Sequence, residues 1–501
     1  MKKKQLRWTL WTIASPFILF IILCILIYLP PIQNFLVDKA AVYASEATGM
    51  NISVGRISLS FPLNLVVTDV DAASPHKDTL LSVRRLQVNV QLLPLLKKQV
   101  EVDGISLQGA TVNSNDLIHG MRLNGTLGEL FISSHGVALD PETAIVNKVL
   151  LKDTDLSLCL NDTAAADTAA SDTTYWKIIL QDIDLQNVSF ALDMPLDSLS
   201  LAASLDNATL RDGLIDLHKS AYSLQTFRIK NGRVRYDSGR PSATASADSL
   251  SAGLDPSHIA LTDIGVKLDS LYYEGRNMKA VISQFVLKER SGVEIVSTEG
   301  RLVSNDKVLR VPSLKLETRD SYLELNAAMD WDALDFKKEG LVSARLMADI
   351  GKPDVVRFMG SMDEKFIRKY PSEPLRIRTG IDGDLNKLKL TTLTAELPGA
   401  LELFAKGELT SLTDSLLRGG DITLQAETKD LKFISTLAEG IEIPYGTRLE
   451  GKFTMAGPKM GTDLLLMQPE AHAVAAADTI PITVYNDSIS VADDFKMERA
   501  A

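Results

Sequence analysis

A chain of 501 residues, 45% hydrophobic and 23% charged, exceeds one ordinary globular core, so several domains or one elongated repetitive body is expected. A formal net charge of −11 argues against a nucleic-acid binder, which needs a clustered basic face. Two cysteines, with Cys24 inside an apolar run, leave Cys159 without an internal disulfide partner.

Residues 1–7 carry Lys2, Lys3, Lys4 and Arg7, and an uncharged run over 8–29 follows, closed by Pro30 and Pro31. That length matches the roughly 20 residues that cross about 30 Å of hydrocarbon as a helix. The basic cluster orients such a helix with its N-terminus in the cytoplasm and the bulk of the chain on the far side. The alternative is a cleaved signal peptide. Its apolar core would be shorter, and Ala41 to Ala44 is a weak cleavage site far beyond the run.

A short helix is predicted over 35–48, with Phe35, Leu36, Ala40 and Tyr43 at helical spacing and Gly49 as its stop. It opens a region extending to 160, in which the hydrophobic period changes to two from Asn51 onward. Residues 161–174, rich in Ala, Asp and Thr, read as a low-complexity loop. A second β-rich region spans 175–468, and 469–501 reads as an irregular tail.

Leu86, Val88 and Val90 alternate with polar residues, as do Ile105 and Leu107, Ile183 and Leu185, Leu314 and Leu316, Leu323 and Leu325, and Leu401 and Leu403. One apolar and one wet face is the pattern of a half-buried antiparallel strand. Three segments, 102–112, 180–190 and 224–236, read as hairpins turning at Gln108-Gly109, Gln186-Asn187 and Asn231-Gly232. Further hairpins are predicted around Arg319-Asp320 and Pro398-Gly399. One or two short helices are expected over 354–370, and another over 430–439.

The thirteen alternating residues named above are the candidate lining of an apolar groove. A closed sandwich core would use the same pattern, so both readings stay open. No Gly-x-Ser-x-Gly, phosphate-cradling loop or His-Glu-x-x-His occurs, and the six histidines lack metal-ligand spacing. The chain therefore reads as a non-enzyme with no cofactor and no nucleic-acid partner.

The N-terminal third has a recognisable order. A helix ends in Ala47-Thr48-Gly49, and then come 52–57, 63–70, 79–81, 86–96, 102–107 and 110–112. That order resembles the AsmA-like superfamily, most closely the N-terminal part of TamB-type translocation and assembly proteins of Bacteroidota. The segment 375–407, with Gly383-Asp384-Leu385, is similar to their recurrent hairpins.

The resemblance implies an inner-membrane anchor and an elongated, U-sectioned, antiparallel β-groove in the periplasm. It further implies a groove that conducts phospholipid acyl chains, or a scaffold for outer-membrane protein assembly through β-augmentation. TamB-type proteins end in a domain contacting a BamA/TamA-like barrel; no such domain is read after Gln468, and a third reading is a truncated remnant of a longer protein of that type. The repeated Asp-Ser/Thr steps look like the O-glycosylation signature of such periplasmic proteins, with Thr163, Thr168 and Thr173 as acceptors. Turn chemistry explains the same dipeptides.

Overall fold

The structure, a computed structural model, describes residues 39, 41–42, 45, 50–60, 64–74, 79–91, 102–114, 121–138, 142–161, 175–239, 253–335, 338, 340–359, 364–384, 386–412, 417–436, 445–456, 459–467 and 478–485. The segment 8–29 lies outside these, and no helix among the described residues is long and apolar enough to cross a membrane. Within the helix predicted over 35–48, residues 39, 41, 42 and 45 are helical.

The fold is mostly β, and the chain divides into two units, Met1–Arg240 and Pro241–Ala501. The first unit contains β1 (Asn51–Ser60), β2 (Asn64–Ala73), β3 (Thr79–Val90), β4 (Val102–Asn113), β5 (Met121–Ala138), β6 (Thr143–Leu160), β7 (Lys177–Met194), β8 (Leu199–Asp216), β9 (Ala221–Leu224) and β10 (Thr226–Ser238). Each of β1 to β5 pairs antiparallel with the next. β7 and β8 are also antiparallel, and β8 meets β9 at one end and β10 along the rest.

One pair departs from the predicted antiparallel sheet: β6 and β7 run parallel, from Thr143 opposite Lys177 to Cys159 opposite Asp193. A parallel step needs a crossover of a dozen or more residues, and the chain between Leu160 and Lys177 is long enough. The low-complexity segment 161–174, apart from Asn161, lies outside the described residues.

The three hairpins expected at 102–112, 180–190 and 224–236 do not form. Each site lies within one continuous strand, β4, β7 or β10. Gly109, Asn187 and Asn231 have φ of 62°, 51° and 54°, the left-handed conformation that glycine and asparagine tolerate best. A type I′ turn and a mid-strand kink require the same residues, so composition alone did not separate them.

Among the described residues the second unit is a meander of thirteen strands, each antiparallel to the next. It runs β11 (His258–Glu274), β12 (Asn277–Glu289), β13 (Glu294–Ser304), β14 (Val308–Thr318), β15 (Tyr322–Asp330), β16 (Val342–Ile350), β17 (Leu375–Gly383), β18 (Lys387–Leu397), β19 (Leu401–Thr410), β20 (Gly419–Thr428), β21 (Arg448–Ala456), β22 (Lys459–Met467) and β23 (Asp478–Tyr485). β23 falls in the tail expected to be irregular, where Thr479, Ile480, Ile482 and Val484 supply strand-forming residues. The predicted turns at Arg319-Asp320 and Pro398-Gly399 join β14 to β15 and β18 to β19. A bulge in β14 coincides with Pro312, which has no N–H for the ladder; its carbonyl accepts from Asn326 Nδ2 at 2.7 Å.

Two helices interrupt this meander where predicted: α1 (Lys352–Phe358) and α2 (Glu364–Lys369). The helix expected over 430–439 is, in its described part, only a 3-10 turn, Ile434–Thr436. Phe366, Tyr370, Leu397, Ala400, Leu431 and Phe433 form a buried cluster beneath these segments, with Val355, Leu375 and Leu401 packed against it. The three rings meet at centroid distances of 5.2 to 5.8 Å.

Candidate functional site

Residues paired directly across neighbouring strands share a face of the sheet, so the registers show where each predicted side chain lies. In the first unit one row joins Ile57, Val67, Leu86, Leu107, Leu130, Leu151, Leu185, Ala208 and Ile229. Two residues along each strand, a second row joins Leu59, Leu65, Val88, Ile105, Ile132, Val149, Ile183, Leu210 and Phe227. The register therefore aligns Leu86, Val88, Ile105, Leu107, Ile183 and Leu185 on one apolar face. Val90 pairs with Val102 after a one-residue shift. At about 4.8 Å per strand, the nine strands of a row span roughly 38 Å.

The row flanking the first on its other side is polar throughout: Arg56, Thr68, Arg85, Gln108, Glu129, Lys152, Gln186, Asn207 and Lys230; the row between the two apolar ones is mixed, with Val66, Phe131 and Leu150 among Ser58, Gln87, Ser106, Asp184, Thr209 and Arg228. On the same face as these polar residues, Asp182 and Asp184 both pair with Arg211, the latter at 2.9 Å.

In the second unit Leu316, Leu323, Ala348, Ile377, Ala395, Leu403, Ala426 and Leu449 are matched in the same way. A neighbouring row joins Leu268, Ile282, Gly300, Leu314, Leu325, Leu346, Thr379, Leu393, Ala405 and Leu424. Leu314, Leu316, Leu323, Leu325 and Leu403 thus share a face, and Leu401, two residues before Leu403, enters the buried cluster at its end. Opposite-face charges pair with one another: Arg378 with Asp349 at 2.7 Å, Arg376 with Glu396 at 3.4 Å and Lys429 with Glu402 at 2.8 Å.

All thirteen predicted lining residues are partly buried and none is fully so. The row residues that are fully buried are the small ones, Ala208, Ala348 and Ala405. The buried hydrophobic cluster of this unit lies at one end of its strands, under α1, α2 and the 3-10 turn.

A second feature, missed by the sequence reading as a whole, crosses the first unit beside the apolar rows. Gly55, Asp69, Arg84, Gly109, Gly128, Asp153, Asn187, Asp206 and Asn231 lie in one line across nine strands. Asp69, Gly109, Asp153, Asn187 and Asn231 have φ between 50° and 62°. The alternation slips by one residue there, so apolar side chains resume at Val70, Ala110 and Val188, with Thr154 in that place on β6. Burial follows the same break: Asp153 is exposed, while Val83, Ala110 and Thr154 beyond the line are buried. The result is a crease running perpendicular to the strands. Asn187 Nδ2 donates to Asp153 Oδ1 at 2.9 Å, and Asn231 donates to Asp206.

The cap of the second unit holds one buried carboxylate, also unforeseen. Asp354 is 1% exposed and accepts from the Thr318 hydroxyl, from Ser321 Oγ at 2.6 Å and from Arg357 at 3.0 Å. Arg357 also reaches Asp320 at 2.8 Å. These bonds fasten α1 to the β14–β15 turn and leave the carboxylate satisfied. Burial pushes the Tyr370 phenol above its ordinary value.

Thr163, Thr168 and Thr173 lie outside the described residues. Among the described residues no three metal-ligating side chains converge. Neither a protein-family model, nor a curated protein, nor a solved structure matches the chain.

Proposed function

We propose that the chain is an inner-membrane-anchored periplasmic protein of the AsmA/TamB type that shields phospholipid acyl chains along an open apolar sheet face. The observation that carries this reading is the alignment of predicted lining residues of the first unit into two rows that are apolar throughout and whose large side chains stay only partly buried. A surface of that kind removes alkyl groups from water at about 0.8 kcal/mol per CH2 and needs no catalytic residue. In the first unit, the crease supports a U-shaped cross-section with the apolar rows inside. The anchor is 8–29, preceded by its basic cluster.

A photo-crosslinking side chain placed at Leu151, on the apolar row, tests the reading against one placed at Lys152, on the polar row. Lipid adducts at Leu151 and not at Lys152 support it. Protein adducts at both positions would favour a scaffold for outer-membrane assembly that works by strand pairing. Absence of any lipid adduct, with no phospholipid released on extraction of the purified chain, overturns the conduit.

A further inference from the structure

The charged side chains of the second unit belong chiefly to the polar face and the strand ends, where many are matched in ion pairs. Helix α2 carries basic side chains away from that face. Phe366 and Tyr370, four residues apart, point into the buried cluster, which is continuous with Leu375, Leu397 and Leu401 at the end of the apolar face. Lys365, Arg368 and Lys369 share the other side of the helix at spacings of three and four, and all three are exposed. The side chains of Arg368 and Lys369, unlike that of Lys365, make no ion pair or hydrogen bond with any described residue. Lys352, from α1, is already committed to the carbonyl of Tyr370 at 2.7 Å.

A basic edge set directly over the end of an apolar surface has the charge pattern of a phospholipid, an anionic phosphate beside alkyl chains. We propose that Arg368 and Lys369 hold the phosphate of a phospholipid whose acyl chains lie on the apolar face next to α2. Arginine suits that role, because its planar guanidinium gives two parallel hydrogen bonds to phosphate oxygens while lysine adds a point charge. This rests on the acyl-chain reading above and adds to it a fixed headgroup position.

The test uses the full purified chain and two fluorescent probes of equal alkyl length, a lysophosphatidic acid and a fatty alcohol without phosphate. The wild type is expected to bind both, the phosphate-bearing probe more tightly, and to retain it in millimolar inorganic phosphate. Arg368→Glu with Lys369→Glu should weaken the phosphate probe at least about tenfold and leave the alcohol unchanged; Arg368→Gln with Lys369→Gln should weaken it several-fold. Equal binding of the phosphate probe by wild type and both variants overturns the headgroup site, and so does loss of both probes together. Displacement by inorganic phosphate also overturns it, showing a free-anion site instead. If the wild type binds neither probe, the acyl-chain reading itself fails.

Discussion

Leu185 sits in the middle of the first unit's apolar row, flanked by Leu151 on β6 and Ala208 on β8, and is partly buried. Replacing it with lysine separates an open face from a sealed core. Full burial of a leucine side chain stabilises by about 1.5–3 kcal/mol, and only part of that is at stake where solvent already reaches it. The lysine stem can cover the same neighbours while its ammonium turns to water. Leu185→Lys is therefore expected to cost about 1–2 kcal/mol, measured from urea unfolding of the full chain followed by circular dichroism. In a sealed core the unpaired charge would carry a desolvation penalty of several kcal/mol, and the protein would barely fold. A loss above about 4 kcal/mol would refute the open face. The same variant should release bound phospholipid on purification, because a charge now interrupts the row.

At the crease, Asn187→Gly should stay within about 0.5 kcal/mol of wild type in the same unfolding assay, whereas Asn187→Val should cost at least about 1–2 kcal/mol; equal losses would show that left-handed backbone is not what the position requires. Asp354→Ala removes a charged acceptor from Thr318, Ser321 and Arg357 at once and should cost about 2–3 kcal/mol, with hydrogen exchange rising first in α1 and the 318–321 turn. Tyr370 must remain protonated to stay buried, and its folded value lies above its unfolded one. Its contribution is thus complete below pH about 10 and is lost as pH rises through the folded value. Tyr370→Phe should flatten that alkaline loss of stability, and an unchanged pH profile would assign the loss to another group.

The apolar face was legible because a strand's side-chain period of two is written directly into the sequence, as at Leu86-Gln87-Val88 and Ile183-Asp184-Leu185. Turns at Arg319-Asp320 and Pro398-Gly399 were legible for a similar reason, since local turn chemistry decides them. The order and direction of the strands were not. Nothing local to β6 or β7 announces a parallel pair, because direction follows from the path of the intervening segment. The Asp354 network was equally hidden: its partners at Thr318 and Ser321 lie 36 and 33 residues away, and an aspartate near a helix start reads only as a dipole-favoured residue.

The crease had a signal that went unused. Val67-Thr68-Asp69-Val70, Leu107-Gln108-Gly109-Ala110, Leu151-Lys152-Asp153-Thr154, Leu185-Gln186-Asn187-Val188 and Ile229-Lys230-Asn231-Gly232 are one motif: apolar, polar, then a residue tolerant of positive φ, then a small or β-branched one. Strand direction accounts for its distribution. β2, β4, β6, β7 and β10 run one way and carry the left-handed residue; β1, β3, β5 and β8 run the other way and place Gly55, Arg84, Gly128 and Asp206 on the line. The parallel pair decides between direction and simple alternation. Under alternation β7 would lack the kink and β8 would have it, yet Asn187 has it and Asp206 does not. A strand meeting a fold line in one chain sense must bend by a rotation that its antiparallel neighbour does not share, and the left-handed residue supplies that rotation. The neighbour's task is to leave room. Gly55 and Gly128 do so, since a Cβ there would stand 2.9 and 2.8 Å from the Cβ atoms of Asp69 and Asp153.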